Sequence, residues 1–287
     1  MGKVKIGIHQ HVFTGKITER NLSVLDYAKE IGFDSMDVNL RNTEFELTGT
    51  LRKRAEKLGL VLTGGGSLPK TKELVSPEKS KRSEAVEYMK ELVRKAYELG
   101  IEVYHGLIYA TGGVFTGKSP TKEELGYAVE GIKEVAQYAG KYGVMLGLET
   151  ANRYETYLVN TVEGLLKMLD EINEPNVGLL LDTYHMNIEE KDLYKSILSA
   201  KGRTIHFHVN ENDRGTPGTG HIPWDDVFNG LKDIGYDRVI SIESFVDDSI
   251  DVASLAAVWR KLAPGTESLA KEGYAFIRKM SEKYSLI

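Results

Sequence analysis

Cysteine is absent from the 287 residues. That excludes disulfides, thiolate metal ligands and cysteine nucleophiles, and it suits a reducing compartment. Long apolar runs are missing as well: no stretch approaches the roughly 18 residues of a membrane span. Met1-Gly2-Lys3 passes straight into Val4-Lys5-Ile6-Gly7-Ile8, which is too short and too interrupted for a signal peptide, so a cytoplasmic location is expected. Positive charge is not in surplus. With 37 Lys and Arg against 42 Asp and Glu the net charge is −5, and neither nucleic acid nor a membrane is an expected partner. Linkers, low-complexity tracts and charge blocks are lacking too, which points to one domain over residues 1–287. What is present, 41% hydrophobic and 28% charged residues, is the composition of a globular protein whose core needs no covalent staples.

Short apolar, β-branched runs alternate with longer amphipathic stretches. The predicted strands cover 4–8, 35–39, 60–64, 103–108, 145–149, 178–182, 204–209 and 239–243. Residues 80–99 place Val86, Met89, Leu92, Val93, Ala96 and Leu99 near a 3.6-residue period, the pattern of a helix with one buried face. Thr121-Lys122-Glu123-Glu124 reads as a capping box, Pro77 and Pro223 as first-turn prolines. Gly32, Gly59, Gly100, Gly143 and Gly235 stand where helices should stop. Alternating strand and helix implies a parallel sheet with right-handed crossovers. Eight such units predict an α/β fold, a single-domain (β/α)8 TIM barrel, with a helical tail over about 258–287. The rival is an open doubly wound sheet, which wants a G-x-G-x-x-G loop after its first strand. His9-Gln10-His11-Val12-Phe13-Thr14-Gly15 is not one, and Gly64-Gly65-Gly66 reads as a loop of close backbone approach, not a phosphate cradle.

In such a barrel the active site forms where the strands end. Four consecutive strands end in metal-binding residue types: Glu149, Asp182, His208 and Glu243, spaced 33, 26 and 35 residues apart. Neighbouring strands lie about 4.8 Å apart, so the four side chains can meet on one rim of the mouth. Each alone has an ordinary explanation. Asp182, ending Gly178-Leu179-Leu180-Leu181, would serve as a helix cap or a solvated turn. His206 and His208 share a strand face, where a lone histidine is usually a hydrogen-bonded core residue. The set resists that explanation, because three crowded carboxylates without a cation repel one another and must protonate. Three carboxylates and an imidazole suit Mn2+, with Co2+ and Mg2+ as alternatives, better than a closed zinc site. A six-coordinate ion would keep about two positions for neighbouring oxygens of a substrate.

Beyond the strand ends, the segments LETANRYETYLVNT (148–161), LLDTYHMNIEE (180–190), HFHVNENDRGTPGTGHIPW (206–224), IESF (242–245) and VWR (258–260) follow in order. On these the chain resembles the ketose 3-epimerases, the D-tagatose, D-allulose (D-psicose) and L-ribulose 3-epimerase family of the xylose-isomerase-like barrels. The likeness spans nearly the whole chain and is strongest from 144 to 260. It implies metal ligands at Glu149, Asp182, His208 and Glu243, with Glu149 and Glu243 also the acid–base pair. It implies substrate-holding roles for Glu155, His185 and Arg214. The implied chemistry removes the proton at C3 of a ketose, beside the C2 carbonyl. A divalent cation on O2 and O3 would stabilise the enediolate, and a carboxylate on the opposite face would return the proton.

Further expectations attach to the mouth. His9, Gly66, Ile108, Phe115 and Phe245 are candidates to line the pocket, with His11 beside His9. Glu211 is expected to back His208, and His221, in a loop before a helix, to serve in capping and not as a second ligand. Family members often carry a tryptophan in the loop after the fourth strand. Here Leu107-Ile108-Tyr109-Ala110-Thr111-Gly112-Gly113-Val114-Phe115 has glycine in its place and Phe115 as a substitute, which leaves the preferred ketose open. The resemblance implies a homodimer or homotetramer. The same rim would also serve an aldose–ketose isomerase, an inosose-processing enzyme or a non-catalytic sugar-binding barrel. A DNA-repair endonuclease of the superfamily would need a zinc-binding histidine cluster and a basic face, and neither is evident in the sequence.

Overall fold

In the computed structural model, residues 3–245 and 258–287 are described; Met1 and Gly2, part of the leader reading above, lie outside them. Eight strands form the centre: β1 (Lys5–His9), β2 (Ser35–Asn39), β3 (Val61–Gly65), β4 (Val103–Gly106), β5 (Met145–Glu149), β6 (Val177–Asp182), β7 (Thr204–Val209) and β8 (Val239–Ile242). They pair in parallel in chain order, and β8 closes on β1 through Lys5–Val239 to Ile8–Ile242. This is the (β/α)8 barrel that the alternation of elements predicts. No helix among the described residues is long and apolar enough to cross a membrane.

Among the described residues, the surrounding helices are α1 (Ser23–Ile31), α2 (Thr48–Leu58), α3 (Lys79–Glu98), α4 (Lys122–Gly140), α5 (Val162–Ile172), α6 (Thr183–Glu189), α7 (Leu193–Ser199), α8 (Trp224–Ile234) and α9 (Thr266–Lys283). Their ends follow local chemistry. The Glu124 amide donates to Thr121 Oγ1 at 3.1 Å, and the Thr121 amide donates to Glu124 Oε2 at 2.7 Å, a reciprocal box at the start of α4. Gly59 and Gly235 take left-handed φ of 61° and 70° after α2 and α8. The two prolines fall before the first helical turn, Pro223 by one residue and Pro77 by two. Pro223 is the N-cap of α8, and Pro77 precedes the N-cap Glu78 of α3. Ser76 explains the latter: its Oγ accepts from the Glu78 amide at 3.2 Å, holding Pro77-Glu78 in a turn outside the helix. α9 packs into the ring beside β1. Tyr274 meets Phe33 at 5.0 Å, Phe276 meets Trp224 at 5.4 Å, and the Val4 amide donates to Leu286 O at 2.9 Å.

Residues of β7 do not alternate simply. Across β6, the partner register jumps from Thr204 at Leu179 to His206 at Leu180, so Ile205 is an extra residue. Its side chain fills the space left inside the barrel by two glycines. A Cβ on Gly178 would lie 2.6 Å from Ile205 Cγ2 and 2.7 Å from the Arg203 carbonyl oxygen. Backbone cannot yield there as a flexible side chain could. Gly178→Ala is therefore expected to destabilise the fold by about 1–3 kcal/mol, read as a lower thermal midpoint; an unchanged midpoint would refute the close-approach argument.

Candidate metal centre and active site

Parallel strands in register carry the side chains at their ends to similar heights, and four converge here: Glu149 and Asp182 close β5 and β6, His208 stands one residue before the end of β7, and Glu243 follows β8 directly. One donor atom each from Glu149, Asp182, His208 and Glu243 lies within 4.8 Å of all the others. Asp182 pairs directly with His208 across β6 and β7. Asp182 also performs the ordinary task weighed above: its Oδ1 accepts from the Tyr184 amide at 2.7 Å and caps α6. Its other oxygen accepts from Asn210 Nδ2 at 2.8 Å and faces the cluster. Capping and converging are thus compatible, because a carboxylate has two oxygens. His208 Nδ1 stands 3.7 Å from Asp182 Oδ2 and 3.5 Å from Glu243 Oε2, buried and without a hydrogen-bond partner among the described residues.

The charges are held in place by Arg214 and by neighbouring histidines. Burial alone would raise Glu243, but Arg214 and His208 hold it well below the usual carboxylate range. Asp182 is likewise lowered against burial by Arg214 and His185. Arg214 Nη1 donates to Glu243 Oε2 at 2.5 Å and lies 3.5 Å from Asp182 Oδ2. Its guanidinium is sandwiched, 4.2 Å from the Tyr184 ring and 5.1 Å from the Phe245 ring. Arg214 is 5% exposed and has a φ of 62°, a left-handed conformation rare for a long side chain. Its amide donates to Glu211 O at 2.9 Å and its carbonyl accepts from Ser244 Oγ at 2.6 Å, which fixes this backbone. Such strain gathers at functional sites.

His185 is positioned by its other nitrogen. The Asn152 amide donates to His185 Nδ1 at 3.2 Å, which favours the ring proton on Nε2, while Arg214 Nη2, itself only a donor, stands 3.2 Å from Nε2. Nε2 faces Glu149 Oε1 at 3.4 Å and Glu155 Oε1 at 3.9 Å. Burial works against a charge on this ring, and Glu155, Asp182 and Glu149 more than offset it. The Asn152 amide nevertheless leaves no place for a second proton on Nδ1. At the opposite side of the mouth, burial lowers His9 to about 4 and His11 to about 3, so both rings are neutral near pH 7. His9 Nδ1 accepts from the His11 amide at 3.1 Å, which leaves the proton on Nε2.

The remaining expectations divide. Phe245 stacks near His11 and Arg214 at the mouth. Ile108 is fully buried, and Gly66 turns its Cβ position toward Tyr104, Arg41 and Leu92. Phe115 is 49% exposed. His221 is exposed and outside the cluster, its amide donating to Asn212 Oδ1 at 3.2 Å. Glu211 does not back His208. Its carboxylate accepts from the amides of Gly218 and Ile222 and from Trp224 Nε1, and so ties down the loop after β7. The strand-end pattern missed Asn152 and Asn210, and also Asp37 from β2 and His105 from β4, which join His206 of β7 in a second buried layer close to His208. A histidine cluster is therefore present after all. Its signal was a lone acid between apolar residues in Met36-Asp37-Val38, and a histidine inside Val103-Tyr104-His105.

Known proteins share this arrangement of elements. The family described as xylose isomerase-like TIM barrel matches residues 25–280. The chain is 32% identical over 277 residues to a probable ketose 3-epimerase of Synechocystis sp., covering 96% of both. It is 33% identical over 267 residues to a D-psicose 3-epimerase of Enterocloster bolteae, covering 91% of this chain and 89% of the relative. Among solved structures, a D-allulose 3-epimerase from Methylomonas sp. in complex with D-allulose superposes with a TM-score of 0.91 at 28% identity over 98% of both chains. An L-ribulose 3-epimerase superposes at 0.93 with 30% identity, over 99% of this chain and 96% of that one. Agreement of this kind, over nearly full length in both sequence and fold, makes the chain a member of the xylose isomerase-like TIM barrels and, within them, of the ketose 3-epimerases, a family of isomerases.

Proposed function

We propose that the protein inverts C3 of a free ketose by proton transfer between Glu149, Glu243 and the substrate. The observation that carries this reading is the placement of two carboxylates, from strands three positions apart around the mouth, beside the same Asp182–His208 pair. One carboxylate takes the proton from C3 on one face of the sugar, and the other returns a proton on the opposite face. Which does which depends on the epimer that enters, since the reaction runs both ways.

The donor set fits a divalent cation. Three carboxylates within 4.8 Å need positive charge, and His208 Nδ1 is a buried nitrogen with no hydrogen-bond partner among the described residues, facing two of them. Glu149, Asp182, His208 and Glu243 would hold the ion; Mn2+ suits this mostly oxygen set, with Co2+ and Mg2+ close behind. When bound it supplies a Lewis acid beside the C2 carbonyl and so acidifies the C3 proton. His185 Nε2 faces Glu149 and Arg214 beside the same space, and a proton on it would donate to the oxygen on which charge develops. Arg214, held between two rings, orients hydroxyl oxygens as a donor, and Glu155 accepts from a hydroxyl at the half-exposed edge. D-fructose/D-allulose, D-tagatose/D-sorbose and L-ribulose/L-xylulose are the substrate pairs this reading favours; relatives named for psicose and ribulose support both chain lengths.

Two outcomes follow. Stripping the protein with EDTA should abolish C3 epimerisation across a ketose panel, and added Mn2+, Co2+ or Mg2+ should restore it, with products separated by chromatography. Activity indifferent to EDTA would refute the cation. In D2O, wild-type enzyme should incorporate deuterium at C3 by NMR, and Glu149→Gln or Glu243→Gln should each slow turnover by about 10²–10⁴-fold. Exchange at C1 or C2 with aldose formation would instead mark an aldose–ketose isomerase.

A further inference from the structure

Beneath the mouth, the barrel holds a carboxylate that the proposed chemistry does not use. Asp37 projects from β2 and is fully buried. Its Oδ2 lies 3.2 Å from His208 Nε2 and 3.3 Å from His206 Nε2, and its Oδ1 lies 3.8 Å from His105 Nε2. We propose that Asp37 is a positioning residue: by accepting from His208 Nε2–H it fixes the ring so that Nδ1 faces Asp182 and Glu243. The inference rests on the metal centre proposed above and adds a residue 171 positions away from His208 in the chain.

The argument is one of proton placement. A carboxylate accepts hydrogen bonds, so an imidazole nitrogen at 3.2 Å from it carries the ring proton. A neutral ring protonated at Nε2 has its lone pair at Nδ1. That atom has no hydrogen-bond partner among the described residues and lies 3.5 Å from Glu243 Oε2 and 3.7 Å from Asp182 Oδ2. Without Asp37, either nitrogen could hold the proton, and the tautomer protonated at Nδ1 cannot ligate through that atom. His206, one rung deeper on the same strand, donates to the same oxygen, so two rings converge on Oδ2. His105 stacks on His206 at 4.1 Å and closes the far side. Gly147 makes room for it: a Cβ there would lie 2.9 Å from His105 Cβ.

The same four side chains, Asp37, His105, His206 and His208, have donor atoms close enough for a second cation. Ring orientation argues against one. An imidazole lone pair lies in the ring plane, and the His105 and His206 planes are 14° from parallel with centroids 4.1 Å apart. An ion in the plane of one ring lies well out of the plane of the other. The cluster therefore serves better as a set of N–H donors around an anion, an arrangement known to orient metal-binding histidines.

Affinity for Mn2+, measured by calorimetric titration of metal-stripped protein, tests this. Asp37→Asn should weaken Mn2+ binding by about 10–100-fold, and Asp37→Glu, which keeps the carboxylate, should recover part of the loss. Nitrogen-15 spectra of histidine-labelled wild-type protein loaded with Mg2+ should show His208 protonated at Nε2 and bare at Nδ1. The spectrum decides even if the buried substitution prevents folding. Equal Mn2+ affinity in a folded Asp37→Asn variant, or a loaded His208 protonated at Nδ1, would overturn the positioning role. A wild-type protein that binds no divalent cation at all would overturn the metal centre itself.

Discussion

Crowded negative charge governs this structure. Closing eight parallel strands into a barrel brings Glu149, Asp182 and Glu243 to one mouth, where the barrel shields them from water. Two like charges about 4 Å apart repel by about 4 kcal/mol at an effective dielectric of 20. The fold tolerates three only by surrounding them with donors. Arg214 faces Glu243 and Asp182, His185 faces Glu149, and His208 stands between Asp182 and Glu243. The same crowding suits the mouth to a divalent cation.

The loops at the strand ends make that arrangement precise. Thr183 Oγ1 donates to the Asn210 carbonyl and accepts from the Asn210 amide, both at 2.7 Å, which ties the end of β6 to the end of β7. Asn210 then reaches Asp182 with its side chain. Glu211, next in sequence, gathers three donors from 218–224 and holds the loop that carries Arg214. A buried carboxylate so fully hydrogen-bonded acts as a brace. Rigid loops matter because proton transfer requires the base within hydrogen-bonding reach of the carbon acid's proton.

The sequence disclosed the barrel because its signals are local. Alternating elements, the Thr121–Glu124 box and the glycines at Gly59 and Gly235 each act within a few residues. The three acids and the histidine at strand ends were legible for a related reason: once the topology is a parallel barrel, every strand end has a known place. Asp37 and His105 were not legible. They sit inside strands, and their meaning arises only when β2 and β4 face β7 across the barrel. Glu211 illustrates the opposite error. Nearness to His208 in sequence suggested contact, yet the odd spacing of three and the turn after Val209 carry its side chain away to the Trp224 indole.

The two ends of the proposed substrate meet different standards of enclosure. Around the reacting carbon the side chains of Asp182, His185 and His208 are 0–2% exposed. Farther out, Phe115 and Tyr154 are 49% and 73% exposed, and the loop bearing Phe115 is pinned by the Gly113 amide donating to Glu155 O at 2.8 Å. Contacts that water can replace discriminate weakly, since each lost methylene or hydroxyl contact on an open rim is worth little. On the proposed reading, discrimination is therefore strict at C2 and C3, where a misplaced oxygen leaves buried donors unpaired, and lax toward the far carbons. A five-carbon and a six-carbon ketose differ only at that lax end.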